Sequence, residues 1–282
     1  MKNILYYKSK KLILGIILHA FLLSVALSCI YPFLWMVNSS FKSEAEYRVD
    51  NGISLVKEVK GENYVNAFKE GNLGIYFLNS VLYTFVTVVG IVIISSLAAF
   101  AFSRLDFKGK NLIFGLFLAA MMIPVPAGFV PVYILLNKLH LVNRTGYVLS
   151  MINMGLSLSI YLMKTFFDQL PHALEDAARI DGCNKLQVWW HVALPLIGPA
   201  MAVVVVFNSL NAWNEFVLAS LLFTNEKMMT LQVGLLEFNA SNITQHTLMM
   251  AALTIAAIPI ILVYLAMQKQ IIKGITKGAL VG

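Results

Sequence analysis

Long apolar runs separated by short polar segments constrain this chain more than any other feature of its sequence. A helix needs about 20 consecutive apolar residues to cross the hydrocarbon core of a bilayer. Six runs reach that length, at residues 12–36, 80–102, 112–136, 146–166, 198–223 and 248–267. The pattern therefore predicts an all-α, polytopic membrane protein with six transmembrane helices.

The composition agrees with a bilayer as the main solvent. Hydrophobic residues make up 59% of the 282 residues and charged residues only 12%, whereas soluble domains contain about 25% charged residues. The net charge of +7 could indicate a nucleic-acid partner, but the basic residues lie singly or in small groups at the ends of apolar runs. We therefore expect a lipid bilayer and no nucleic acid as partner.

The distribution of basic residues predicts an orientation. Most of the 21 lysines and arginines lie in segments that a cytoplasmic N-terminus would place inside, and the short loops on the other side carry only Lys138, Arg144 and Lys227. In the long segment 38–79, acidic residues offset the basic ones. We expect both termini to be cytoplasmic and 38–79 to be extracytoplasmic, within one membrane domain spanning 1–282.

The first apolar run superficially resembles a lipoprotein signal whose cleavage cysteine is Cys29. The run continues through Met36, however, and is long enough to span, so we interpret it as a retained signal anchor. Cys29 and Cys183 support neither a disulfide framework nor a zinc site. The one Gly-Lys pair, at Gly109, lacks the rest of a phosphate-binding loop, and the five histidines are dispersed. We expect no catalytic residues, no metal ligands and no cofactor.

The segment 170–183, between the fourth and fifth runs, is the most informative stretch of the sequence. Pro171 suits a first helical turn, and Gly182 can supply the left-handed residue that ends the helix. Asn184 with Gln187 predicts a capping pair for a second short helix that stops before Pro195. The pattern predicts a helix, a glycine turn and a second helix on the cytoplasmic side. An amphipathic helix resting on the bilayer surface is the alternative.

This loop reads Glu175-Asp176-Ala177-Ala178-Arg179-Ile180-Asp181-Gly182, with Leu194-Pro195 further on. It resembles the Glu-Ala-Ala, Gly and Leu-Pro signature of the membrane subunits of ATP-binding-cassette (ABC) importers, although Asp176 stands where alanine is common. The resemblance covers nearly the whole chain, with a core at about 75–270, and is closest to the carbohydrate-uptake, maltose-type branch. Further stretches that fit are Ala99-Phe100-Ala101-Phe102-Ser103-Arg104, Met122-Ile123-Pro124 and Trp213-Asn214-Glu215-Phe216.

In that family the loop forms a coupling helix that docks on an ATPase subunit. The resemblance therefore implies that the coupling residues are Glu175, Ala177, Ala178, Asp181 and Gly182. It also implies a heterodimer with a second homologous permease, two ABC ATPase subunits, an extracytoplasmic sugar-binding protein and a place in the bacterial cytoplasmic membrane. The expected cargo is a sugar or oligosaccharide.

Other functions stay open at this point. An importer permease for a non-sugar solute such as glycerol phosphate fits the same signature. A stand-alone secondary transporter would need ionisable residues in mid-span, for which only His19 and Glu215 qualify. A membrane-embedded enzyme would need a clustered nucleophile or metal set, which the acidic stretch at 175–181 does not supply.

The fifth run contains a polar stripe. Asn208, Asn211 and Glu215 recur at spacings of three and four and so share one face of a helix, with Asn208 near mid-depth. With Trp213 and Asn214 they are candidates for lining a sugar pathway, although interhelical hydrogen bonding would explain the amides as well. Pro124 and Pro126 predict a break in the third run.

Overall fold

The computed structural model describes residues 2–70, 72–241 and 245–279, and every regular element in that part of the chain is a helix. Contacts divide the chain into two compact units. The first unit comprises 1–71 and 238–255, and the second comprises 72–237 and 256–282.

The helices follow one another as α1 (Lys2–Ser40), α2 (Glu44–Asp50), α3 (Glu62–Glu70), α4 (Leu73–Arg104), α5 (Lys110–Ala120), α6 (Val125–Lys138), α7 (Arg144–Asp168), α8 (Ala173–Ile180), α9 (Lys185–Val188), α10 (Leu194–Leu196), α11 (Gly198–Asn214), α12 (Val217–Leu222), α13 (Leu231–Ser241) and α14 (His246–Ala279). A π-helical turn at Trp189–Ala193 joins α9 to α10, and a 3₁₀ turn occupies Glu226–Met228.

Among the described residues, four helices are long and apolar enough to cross a bilayer. They are Lys11–Ser40, Leu73–Arg104, Arg144–Asp168 and His246–Lys269, and a fifth candidate is the pair Lys185–Leu196 and Gly198–Asn214, bent by 80°. The prediction of an all-α, polytopic membrane protein is confirmed. The remaining predicted run, 112–136, forms two shorter helices instead of one.

That third run is interrupted between α5 and α6. The chain leaves α5 at Met121 and enters α6 after Pro124, whose extended backbone (φ −60°, ψ 125°) begins the new helix. Proline has no N–H to donate and disfavours a helical residue before it, so the break falls where Pro124 and Pro126 predict it.

The fifth run is interrupted as well, and the sequence did not predict this. Glu215 is extended (φ −66°, ψ 126°) and separates α11 from α12. Its carboxylate accepts the backbone N–H groups of Leu218 (2.6 Å) and Ala219 (3.0 Å). A second helix start leaves unpaired N–H groups, and the acidic side chain supplies their acceptors.

The second unit is built around α4, α7 and α11. Ile91 and Phe100 of α4, Ile160 and Phe167 of α7 and Val204 of α11 belong to one buried cluster. Phe100 and Phe167 meet edge to face with ring centroids 5.7 Å apart. This packing holds together α7 and α11, the two helices that the segment 169–197 connects.

In the first unit, polar side chains organise the segment that follows α1. Lys42 is fully buried, donates to Ser54 Oγ (3.0 Å) and lies 3.6 Å from the Asp50 carboxylate. Glu44, at the start of α2, accepts from His246 Nδ1 (2.9 Å) and from the Thr247 N–H (3.2 Å) at the start of α14. Tyr47 stacks on the His246 ring at 5.2 Å. Glu44 thus ties α2 to the first turn of α14.

The Glu44 contacts predict a pH dependence of stability. Burial favours a higher pKa for the Glu44 carboxyl, but hydrogen bonds from His246, the Thr247 N–H and Arg48 outweigh it and hold the pKa below its ordinary value of 4.5. A carboxylate with a lowered folded-state pKa stabilises the fold above its unfolded-state pKa, and this stabilisation is lost as the pH falls through the folded-state value. Glu44→Gln should therefore lower the melting temperature more at pH 7 than at pH 3.5.

The control for this measurement is Glu58→Gln. The Glu58 side chain is 77% exposed and pairs with Lys60, so its replacement should leave the melting temperature nearly unchanged at both pH values. An equal loss of melting temperature in Glu44→Gln at pH 7 and pH 3.5 would contradict a stabilising role for the Glu44 charge.

Candidate functional site

The segment between α7 and α11 forms the helix, glycine turn and second helix that the sequence predicts. α8 ends at Ile180, and Gly182, two residues further on, has a φ of +88° in the left-handed region. The N–H of Cys183 donates to Ala178 O, and that of Gly182 donates to Arg179 O, both at 3.0 Å. These bonds use carbonyls that the end of a helix leaves without partners, and glycine adopts the required φ without steric cost.

The second short helix begins with a complete capping box. The Asn184 side chain accepts from the Gln187 N–H (2.9 Å), and the Gln187 side chain accepts from the Asn184 N–H (2.8 Å). The helix does not stop before Pro195 as predicted but passes through the π-helical turn into α10. The Leu194 N–H reaches back five residues to Trp189 O, and this wider turn accommodates a proline that cannot donate.

The two faces of α8 have different surroundings. Glu175 and Ala178 are buried, with Glu175 5% exposed, and Ala178 belongs to the cluster formed by α4, α7 and α11. Ala177, Asp181 and Gly182 are exposed. At the turn, Ile180 is 86% exposed and Leu186 of α9 is 62% exposed. We call α8, the Gly182 turn and α9 the projection. Its root, at Glu175 and Ala178, is packed into the second unit, whereas its tip, at Ile180 and Leu186, is apolar and exposed.

Arg104, the last residue of α4, belongs to this site, although sequence reasoning did not propose a role for it. Its Nε lies 2.6 Å from Glu175 Oε1 in an ion pair that lacks hydrogen-bond geometry. Its Nη2 donates to the carbonyls of Phe167 and Leu170 at 2.6 Å each, and its Nη1 lies 3.1 Å from His172 Nε2. The only sequence signal was its place at the end of the Ala99–Arg104 stretch that carried part of the resemblance.

On α11, two of the candidate pathway residues are enclosed within the second unit. The Asn208 amide donates to Ser159 Oγ of α7 (3.0 Å) and to Val204 O (2.8 Å). Trp213 Nε1 donates to Ala256 O of α14 (3.1 Å), and its ring meets Phe77 edge to face. Both side chains join α11 to neighbouring helices.

A different face of α11 is open. Phe207, Asn211 and Asn214 are exposed and recur at spacings of four and three, so they lie along one stripe. The Asn214 amide donates to Leu210 O (3.0 Å), and its carbonyl oxygen accepts from Gln232 Nε2 of α13 (3.4 Å). Amides beside an aromatic ring are groups that can hydrogen-bond sugar hydroxyls and contact the apolar face of a sugar ring.

An apolar groove runs along another side of α11. It has a volume of about 460 Å³, and α4, α11 and α14 line it with residues that include Val88, Phe85, Leu210 and Pro259. Its lining offers almost no polar groups, so a sugar placed there would lose hydrogen bonds to water without replacement. Of the two accessible faces of α11, only the asparagine stripe suits a polar cargo.

The loop before α13 is fastened to the ends of α4 and α7. Asn79 donates to the carbonyls of Lys227 and Met229, both at 3.0 Å, and Arg144 donates to Lys227 O at 2.7 Å. Tyr83 donates to Met228 O (3.0 Å). Sequence reasoning missed these residues because a side chain that bonds a distant backbone carbonyl leaves no local pattern.

These features define a polytopic, helical membrane protein in which the α8–α9 projection is packed at its root and α11 has an exposed polar face. The model of the family "binding-protein-dependent transport system inner membrane component" matches residues 90–277. The chain belongs to this family, and it is a multi-pass permease subunit of an ABC importer in the inner membrane. It is a non-catalytic component.

Similar proteins agree with this assignment. An ABC transporter permease protein of Caldicellulosiruptor sp. is 36% identical over 252 residues, covering 89% of this chain and 91% of that protein. The permease protein of the diacetylchitobiose uptake system of Streptomyces coelicolor is 32% identical, covering 92% and 87%. A chain in the crystal structure of a bacterial ABC transporter that imports the acidic polysaccharide alginate superposes with a TM-score of 0.82 at 26% identity, covering 91% and 96%.

Proposed function

We propose that this chain forms, with a second homologous permease, the translocation pathway of an importer for a sugar or oligosaccharide, energised by two separate ATPase subunits. An extracytoplasmic binding protein delivers the cargo. The observation that carries this proposal is the α8–Gly182–α9 projection, with a packed root and an exposed tip, in a chain of the permease family. Relatives that take up diacetylchitobiose and maltodextrin support a carbohydrate cargo over glycerol phosphate.

The proposed topology has six spans. α5 and α6 together make the third span, α11 and α12 belong to the fifth, and α14 is the sixth. With both termini cytoplasmic, α8 and α9 face the cytoplasm, and the segment 38–79 lies outside. In this topology the whole chain, 1–282, forms one permease domain.

A labelling experiment tests this topology. With Cys29 replaced by serine, Cys183 beside the α8 turn should react with a membrane-impermeant maleimide only after the cells are permeabilised. A cysteine introduced by Lys57→Cys should react in intact cells, because Lys57 is exposed in the proposed outer segment. Reaction of Cys183 in intact cells would invert the proposed orientation.

In the proposed mechanism, the exposed residues of the projection, Ala177, Ile180, Asp181 and Leu186, contact an ATPase subunit. Gly182 shapes the turn, while Glu175 and Ala178 hold the root of α8. Closure of the ATPases on ATP moves the projection, and the spans rock as rigid bodies between inward and outward access. The amide-rich face of α11, with Asn211 and Asn214, lines the pathway. Asn208, Trp213 and Glu215 hold α11 and α12 in position around it.

Substitutions on two faces of α11 distinguish side chains that line the pathway from side chains that pack against neighbouring helices. Asn211→Leu should reduce uptake and leave the melting temperature unchanged, since the side chain is exposed. Asn208→Leu should lower the melting temperature, because it leaves a buried hydroxyl without its partner at a cost of about 1–3 kcal/mol. Equal effects of both variants on stability and no effect of Asn211→Leu on uptake would remove the pathway assignment. Uptake is measured with radiolabelled oligosaccharide in cells.

The direct test of the proposed function is purification and reconstitution. The tagged chain, isolated in mild detergent, should carry a second permease and an ATPase subunit, identified by mass spectrometry. Proteoliposomes of the complex with its binding protein should take up an oligosaccharide when ATP is supplied and should not take up glycerol phosphate. Isolation of the chain alone, with ion-driven transport by that chain, would establish a secondary transporter instead.

A further inference from the structure

Arg104 makes contacts that the coupling signature by itself does not explain. Its side chain is 2% exposed, and the Glu175 side chain that it pairs with is 6% exposed. Glu175 is therefore engaged within its own chain. Because this ion pair between the end of α4 and the first turn of α8 is buried, it can orient α8 but offers little surface to a partner protein.

A single guanidinium joins three parts of the second unit. Arg104 ends α4, the carbonyls of Phe167 and Leu170 belong to the end of α7 and the residues after it, and Glu175 lies in the first turn of α8. The end of a helix favours a cation and its start favours an anion. Arg104 lies at the end of α4 and Glu175 at the start of α8, so the pair meets both preferences. The bond from Arg104 to Leu170 O holds the linker at 169–172.

The geometry requires arginine. The planar guanidinium holds its N–H groups in a fixed fork, so Nη1 and Nη2 reach the imidazole and the two carbonyls while Nε lies beside the Glu175 carboxylate as an ion pair. A lysine ammonium is a point charge that cannot make these contacts in the same directions. Without this fork, α8 would keep its packing through Ala178 but would lose the side chain that joins it and the linker at 169–172 to the ends of α4 and α7.

We infer that Arg104 is a positioning residue that, together with Glu175, makes α8 and the ends of α4 and α7 one rigid lever. The inference rests on the proposed function of α8 as the coupling helix. Glu175 contributes through this internal pair, and the exposed residues of the turn make the contact with the ATPase. Loss of the pair leaves α8 able to bind the ATPase while its movement no longer reaches the spans.

The test uses the complete reconstituted complex with its binding protein and measures three quantities: ATPase bound per permease, ATP hydrolysed and oligosaccharide transported. Arg104→Gln and Arg104→Lys should retain bound ATPase but lower transport per ATP by about fivefold or more. The double variant Arg104→Gln with Glu175→Gln leaves no unpaired buried charge, so it should assemble at least as well as Arg104→Gln and stay equally uncoupled. The loss of transport per ATP in the double variant should not exceed the loss in Arg104→Gln alone.

Lys110→Gln is the matched control. Lys110 pairs with a fully exposed Asp106 at 3.7 Å near the same end of α4, so its loss should leave transport per ATP unchanged. Unchanged transport per ATP in the Arg104 variants would overturn the inference, as would failure of all of them, the double variant included, to insert and bind ATPase. Failure of the unmodified chain to bind an ATPase would instead overturn the proposed function.

Discussion

Gly182→Val should abolish most sugar uptake while the protein still inserts and folds. The residue has φ +88°, a backbone conformation that costs a β-branched residue on the order of 1–2 kcal/mol or more. A Cβ atom at this position would meet nothing within 4 Å, so we attribute the effect to the backbone conformation. The turn would open, and the exposed tip of α8 and α9 would lose the shape that the proposal assigns to ATPase docking.

Gly182→Asn is the control that isolates this cause. Asparagine adds a side chain of similar size into the same open space, but it tolerates left-handed backbone conformations much better than valine. Uptake in Gly182→Asn should stay near that of the natural sequence, and ATPase copurification should fall only in Gly182→Val. Equal loss in both variants would point to a steric clash with the partner, and equal retention would show that coupling does not need this turn.

Gly155→Val should strongly destabilise the membrane domain. A Cβ atom at this position of α7 would collide with Asn208 Oδ1 of α11 and with the Ile91 side chain of α4. Overpacking of a well-packed site costs about 1–3 kcal/mol, and here it would also disturb the Asn208–Ser159 hydrogen bond. We expect a lower melting temperature in detergent and less monodisperse protein on size-exclusion chromatography.

Gly115→Val in α5 provides the comparison. It makes the same substitution in a helix, but the added side chain meets nothing within 4 Å of its Cβ in the chain. Its melting temperature should stay close to that of the natural sequence. A comparable loss in both variants would mean that helix propensity, and not the contact of α4, α7 and α11, accounts for the effect at Gly155.

The Arg104–Glu175 pair and the Gly182 turn are neighbours in the structure, but only the turn could be predicted from the sequence. The turn was predictable because its signals are local: a proline before the helix, a glycine after it, and the Asn184–Gln187 capping pair. The Arg104–Glu175 pair joins residues 71 positions apart in sequence, at 2.6 Å. No periodicity links two such charges, so only the folded chain identifies them as partners.

The fifth run illustrates the same limit within a single helix. Spacing placed Asn208, Asn211 and Glu215 on one predicted stripe, but spacing assumes an unbroken helix and says nothing about neighbours. In the structure Asn208 bonds to Ser159 of α7, Asn211 is exposed, and Glu215 ends α11 and caps α12.

The sequence by itself determined that this is a helical, multi-pass membrane protein of the ABC importer permease family. Apolar run length reflects bilayer thickness, and the coupling-loop residues are contiguous, so both can be read along the chain. The tertiary structure decided which polar side chains are used for packing and which face outward, where the fifth run breaks, and which residue anchors α8. Those outcomes depend on contacts between residues distant in sequence, whose energies no local pattern contains.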